Sequence, residues 1–172
     1  MNRSAVFRKA IVVSLLALVP AAARAQKAIF VVRHAEKTAD PQQLLTEAGR
    51  ARAQKLAAML KDSGIAAIYS TDTARTRDTV KPLADALKLT IELYDTGASM
   101  SGKVDARAFV ATLRKKHPND FVLVVGHSNT IPNLLETLGC KEKVALGDNE
   151  YDNLFVVVPK ADGGATLLRL RY

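Results

Sequence analysis

Tryptophan is absent from this 172-residue sequence, aromatic side chains make up 5% of it, and it holds one cysteine and three histidines. A core built from such material is aliphatic. A base-stacking platform for single-stranded nucleic acid would lack its aromatic faces. A lone Cys140 excludes an intrachain disulfide framework and a four-cysteine zinc site, and it reads as a small buried hydrophobe. Long apolar runs are missing too: Ala10–Val19 is short of the ~20 residues of a comfortable membrane span. What is present is 48% hydrophobic and 24% charged residues, a globular mix sized for one domain.

The net charge of +8 is concentrated at the start of the chain. Arg3, Arg8 and Lys9 precede the apolar Ala10–Val19, Pro20 follows, and Ala23-Arg24-Ala25 has a small residue on either side of one position. That is the order of a secretory signal peptide over residues 1–25, cleaved to leave a domain of residues 26–172. Retention as an anchor is the alternative. Without residues 1–25, 21 basic and 17 acidic side chains remain, a net of +4. That mild excess suits small anionic substrates and does not call for nucleic acid. The expected location is the periplasm or the exterior, with no stable membrane insertion after cleavage and a monomer as the default state. A lone thiol is compatible with an oxidising compartment.

Beyond the leader, strand and helix patterns alternate. Ala28–Val32 is a continuous apolar run suited to a strand buried on both faces. Leu45–Lys61 has helical periodicity, with Thr46 as N-cap, Leu56, Met59 and Leu60 on one face, and Gly64 as a stop. Ala66–Tyr69 is a second strand. Ala74–Leu87 is a helix that Pro82 bends or breaks. Thr90–Leu93 is a third strand, Ala106–Lys116 a helix ended by Pro118, and Phe121–Val125 a fourth strand. Ile131–Leu138 is a helix closed by Gly139. Leu154–Val158 and Ala165–Leu170 form a hairpin through Asp162-Gly163-Gly164. This order predicts an α/β fold, a three-layer α/β/α sandwich around a mostly parallel sheet with a C-terminal hairpin. Lys141–Asp152 is the longest polar connection and reads as a loop over one face.

Open α/β sheets bind ligands at the carboxyl ends of their strands. Arg33-His34-Ala35-Glu36-Lys37 follows the first strand. Ser70-Thr71-Asp72-Thr73-Ala74-Arg75 follows the second, and Gly126-His127-Ser128-Asn129-Thr130 follows the fourth. Two histidines and two arginines thus share one kind of position. Phosphoryl transfer fits them: a neutral imidazole attacks phosphorus, and arginine forks stabilise the charge on the equatorial oxygens. Arginines nearby also disfavour the imidazolium and keep the ring nucleophilic.

The segment Val32-Arg33-His34-Ala35-Glu36 resembles the first signature of the histidine phosphatase superfamily. Tyr69-Ser70-x4-Arg75-x3-Thr79 is similar to its second-arginine motif, and Val125-Gly126-His127-Ser128 to its second-histidine motif. The resemblance implies the phosphoglycerate mutase-like fold, no cofactor or metal, and a small phosphorylated substrate. It implies that His34 becomes phosphohistidine, that Arg33 and Arg75 clamp the phosphoryl oxygens, and that His127 completes the pocket. Lys37, Ser128, Asn129 and Asp95 are further candidates for substrate contact. Many relatives carry a glutamate general acid downstream of the second arginine, but Asp95–Gly102 contains none. Asp95, Asp105 and Glu92 are the nearest carboxylates, with Glu92 inside a strand. SixA-like members of this size also lack the usual acid. A leaving group of low pKa, such as phosphohistidine or an anhydride, needs little protonation. The missing acid and missing insertions weigh against a mutase.

The remaining candidates have plainer readings. His117 lacks motif partners and reads as surface, and Arg77 as surface or an ion pair. Arg50, Arg52 and Lys55 form a solvated helix face. Glu36 either pairs with a basic neighbour or serves the site. Asp148–Asp152 reads as a solvated loop from which Tyr151 can reach the pocket. Gly126–Thr130 partly resembles a serine-hydrolase elbow, but no histidine follows Ser128 to complete a triad. A metal site of His34, Glu36 and His127 would face opposing arginines. A binding protein that kept the phosphate pocket without turnover is the main alternative to an enzyme.

Overall fold

A computed structural model of the chain describes residues 27–97 and 104–172. The leader assigned to residues 1–25 and part of the Asp95–Gly102 stretch lie outside the described residues. The elements in chain order are β1 (Ala28–Arg33), α1 (Glu47–Leu60), β2 (Ile65–Ser70), α2 (Ala74–Leu87), β3 (Ile91–Leu93), α3 (Arg107–Lys116), β4 (Phe121–Gly126), α4 (Ile131–Thr137), β5 (Asn153–Pro159) and β6 (Ala165–Arg171). They build one six-stranded sheet in the order β3-β2-β4-β1-β5-β6. The first four strands in that order run parallel, β5 is antiparallel to β1, and β6 is antiparallel to β5.

The two sheet faces carry separate cores. One cluster joins Leu56 and Leu60 of α1 with Val80 and Leu83 of α2, over Val32, Ile68, Leu123 and Leu154. The other joins Phe109 and Leu113 of α3 with Leu134 and Leu135 of α4, over Ile29, Val31, Val122 and Phe155. Strand residues alternate between the two clusters because successive side chains point to opposite faces. The three-layer sandwich predicted above is therefore present, with the hairpin as the antiparallel margin.

Local chemistry sets the element boundaries. The Thr46 hydroxyl accepts from the Gly49 N–H at 3.1 Å and caps α1. Thr73 does the same for α2 through Thr76. The α2 helix runs through Pro82, which removes the N–H that would bond the Asp78 carbonyl; Asp78 is exposed and water can take its place. Met59 is 45% exposed, not part of the buried face. That face is Ala53, Leu56, Ala57 and Leu60, spaced at i, i+3, i+4 and i+7, and Met59 falls outside this stripe. Cys140 is buried, as expected, and burial pushes its thiol up to about 11.

Strand order also creates the site. The chain leaves β1 toward α1 on one face and leaves the adjacent β4 toward α4 on the other. Between two such strands a crevice opens at their carboxyl ends. Helix α1 starts close against it. The Glu36 carbonyl accepts from the Thr46 N–H at 3.0 Å, and a Cβ at Gly49 would lie 2.2 Å from that same oxygen. Only glycine allows this approach.

Candidate active site

Arg33 ends β1 and Gly126 ends β4, paired side by side. The ladder extends one step further, with the His34 N–H donating to the Gly126 carbonyl at 3.0 Å. His34 and His127 thus leave adjacent strands at the same level, and their rings lie 5.3 Å apart in an edge arrangement.

Hydrogen bonds fix both tautomers. His34 Nδ1 lies 2.8 Å from the Ala35 carbonyl oxygen, which can only accept, so Nδ1 carries the proton. In the neutral ring, Nε2 then holds the free lone pair. His127 is arranged the other way. Its Nδ1 faces Arg75 Nη2 at 3.4 Å, a group that can only donate, so its Nε2 proton goes to Thr71 Oγ1 at 2.9 Å. Thr71 passes its own proton to Thr76, whose hydroxyl donates to the backbone of the same turn. Burial, opposed by the Ala35 bond and reinforced by electrostatic repulsion from His127, Arg33 and Arg75, lowers His34 to about 4. Burial together with Arg75 and Arg33 lowers His127 to about 4.

The arginines are half satisfied. Arg33 Nη1 donates to the carbonyls of Gly147 at 2.8 Å and Glu150 at 3.4 Å, and its guanidinium lies 4.2 Å from the centre of the Tyr151 ring. The Nε atoms of both Arg33 and Arg75 are buried without a hydrogen-bond partner. Burial and the charge of Arg33 lower the pKa of Arg75. Two cations with unused buried donors stand beside two neutral imidazoles, an arrangement whose chemistry suits an anionic group.

Thr79 explains the last residue of the second-arginine motif. Its hydroxyl accepts from the Ala35 N–H at 2.9 Å and donates to the Arg75 carbonyl at 2.7 Å. It therefore ties the turn after His34 to the helical turn that carries Arg75. Thr71 and Thr76 had no role in the sequence reading. Single hydroxyls after a strand carry no local signal, and their function is visible only once His127 arrives from β4.

Residues 29–96 match the histidine phosphatase superfamily, branch 1. This segment holds Arg33, His34, Arg75 and Thr79. Residues 29–96 therefore belong to the histidine phosphatase superfamily. No curated protein sequence matches the chain significantly. Among solved structures, the protein histidine phosphatase SixA complexed with tungstate is 20% identical, with a TM-score of 0.68 over 84% of this chain and 96% of that one. A mycobacterial glucosyl-3-phosphoglycerate phosphatase bound to VO3 is 16% identical, with a TM-score of 0.63 over 85% and 98%. A phosphoserine phosphatase mutant from Entamoeba histolytica, bound to phosphoserine, is 16% identical, with a TM-score of 0.60 over 82% and 94%. At these identities the likeness carries the fold.

Within this histidine phosphatase fold, the weaker candidates scatter. Lys37 bridges to Leu45 beside the start of α1. Ser128 and Asn129 lie in the turn that Thr130 closes by accepting from the His127 N–H at 3.0 Å; Asn129 is exposed. Asp95 is exposed and accepts from the Gly97 N–H. Asp105 pairs with Arg107, and Glu92 with Lys116. Tyr151 does reach the site, its ring 5.8 Å from that of His34. Among the described residues, no three His, Cys, Asp or Glu side chains group as metal ligands, and no helix is long and apolar enough to cross a membrane.

Three plainer readings need correction. Arg52 is not on a solvated face: it forms a fork to Glu36, closest contact 2.7 Å, and donates to the Tyr172 carbonyl at 2.7 Å. Glu36 is thus a structural partner. His117 is not free, since it contacts the Tyr69 hydroxyl and Asp120, each at 3.0 Å. The Asp148–Asp152 loop is anchored, with Glu150 and Asp152 paired to arginines of β6. In each case the partner is distant in sequence or hidden by a turn. Arg77 pairs with Asp72, one of the two readings open to it.

The lowered histidines give a signed prediction. Unfolded, these rings titrate near the ordinary value of 6.5; folded, at about 4. Between those values the unfolded chain binds more protons, so stability falls as pH drops through this window. The melting temperature should decline from pH 6.5 to 4, and decline less in His34→Asn, which removes one of the two rings. Equal declines would contradict the neutral, buried state of His34.

Proposed function

We propose that this chain is an exported, metal-independent phosphohydrolase that works through a phosphohistidine at His34. The carrying observation is the pair of buried, unpartnered arginine Nε donors flanking His34, whose Nδ1–Ala35 bond leaves Nε2 free to attack. In the first step the Nε2 lone pair bonds to phosphorus, and the bond to the leaving atom breaks toward that atom. In the second, water attacks the phosphohistidine, releasing inorganic phosphate and restoring the neutral ring. Arg33 and Arg75 stabilise the equatorial oxygens in both transition states. In this reading His127 holds one of those oxygens by turning its Nε2–H from Thr71 to it.

The ion-paired Asp105 and Glu92 favour substrates whose leaving atom needs little protonation: phosphoramidates, anhydrides or aryl phosphates. The activities of the structural neighbours, among them removal of phosphate from histidine and serine, are consistent with this class of reaction. Export rests on the leader pattern of residues 1–25, with periplasmic or secreted location as its consequence.

The purified chain should hydrolyse p-nitrophenyl phosphate or acetyl phosphate with chelator present, and tungstate should compete. Activity that disappears with chelator would overturn metal independence. Inactivity on aryl, acyl and phosphoramidate substrates alike would overturn the enzymatic reading.

A further inference from the structure

Arg33 is oriented by a segment more than 110 positions along the chain. The turn from Gly147 to Glu150 aims two backbone carbonyls at Arg33 Nη1, and Tyr151, next in sequence, stacks on the guanidinium face. The turn is closed twice, by the Glu150 N–H donating to the Gly147 carbonyl at 3.1 Å and by the Glu150 side chain. Its Oε2 accepts from the Gly147 N–H at 2.8 Å, the residue whose carbonyl makes the shorter bond to Arg33. Its Oε1 accepts from Arg169 at 3.2 Å and Arg171 at 3.0 Å, fastening the turn to β6. Asp152 adds a second contact to Arg171 at 2.6 Å, and Asn153 accepts from Arg169 at 2.6 Å. The Gly147 bond and Arg171 hold the Glu150 carboxyl below the usual carboxylate range.

With Nη1 committed to the turn, the buried Nε of Arg33 is left over. A long arginine loses much side-chain entropy on being fixed, and that cost falls on substrate binding unless the protein has already met it. We propose that Glu150 is a positioning residue: by closing the 147–150 turn, it holds Arg33 so that the guanidinium donors left over face the phosphoryl group at His34. This rests on the phosphoryl-site reading above. Glu150 touches no reacting atom and acts through Arg33.

The test is tungstate affinity, measured by calorimetry on the whole chain and so independent of turnover. Glu150→Ala should weaken binding about tenfold, the scale of one organising hydrogen bond to a charged group. Glu150→Gln should stay within about threefold, because its amide oxygen still accepts from the Gly147 N–H. In an Arg33→Ala background, Glu150→Ala should add nothing, which is the coupling expected if the two act as one unit. With substrate, the loss should appear in kcat more than in KM. An equal loss in both backgrounds, or none in the wild-type background, overturns the proposal. Should Glu150→Ala fail to fold, the double variant Arg169→Ala/Arg171→Ala loosens the same carboxylate, and a loss of about threefold that vanishes without Arg33 is the expected result; no loss overturns the proposal. Wild-type protein that does not bind tungstate overturns the phosphoryl-site reading itself, a result distinct from failure of the Glu150 coupling.

Discussion

Replacing His34 with alanine is expected to lower turnover by roughly 10⁴-fold or more, the scale seen when a covalent nucleophile is removed. The tautomers are the reason for proposing this role for His34. Its Nδ1 proton is committed to Ala35, and Nε2 retains the lone pair. His127 cannot substitute as it stands, because Arg75 engages one nitrogen and Thr71 receives the proton of the other. The fold should survive, since the ring is a group whose charging the buried site opposes. The decisive readout is the phosphoenzyme. Wild-type protein quenched during turnover should carry an acid-labile phosphoryl group, and His34→Ala should carry none. A variant that still labels, or keeps near-normal activity, would place the nucleophile elsewhere.

Arg75→Ala should cost about 10²- to 10³-fold in kcat, the range for loss of one preorganised donor to a developing charge. Two effects combine there. In the proposed clamp the phosphoryl oxygens would lose the Nε donor, and His127 loses the guanidinium that holds its Nδ1. Arg75→Lys should recover little, because an ammonium presents a point charge in place of a planar fork. Vanadate affinity should fall in step with kcat, more steeply than substrate affinity, if the interaction strengthens at the transition state. An unchanged kcat would remove Arg75 from the phosphoryl clamp.

The sequence was most legible where structure depends on near neighbours. The apolar run at Ala28–Val32 reads as a doubly buried strand because five residues suffice to show it, and the structure extends it by only Arg33. Thr46 reads as an N-cap because the group it satisfies is three residues away. Met59 shows the limit: two or three residues do not fix which stripe of a helix faces the sheet. Placing Arg33, His34 and His127 at strand ends, and Arg75 at the start of the helix that follows one, needed nothing beyond those local patterns and the rule that such ends bind ligands.

By itself, then, the sequence determined the order and type of every element now described and the residues that reach the carboxyl edge of the sheet. Tertiary structure alone decided that β1 and β4 lie side by side, which sets the two imidazoles 5.3 Å apart. It also decided which nitrogen of each ring carries the proton, that Glu36 answers to Arg52, and that the Lys141–Asp152 loop reaches back to Arg33. The division is physical. Helical period, caps and turns are set by interactions within a few residues. Strand order, tautomers and the grip of a loop on an arginine depend on groups far apart in the chain, whose meeting no local pattern encodes.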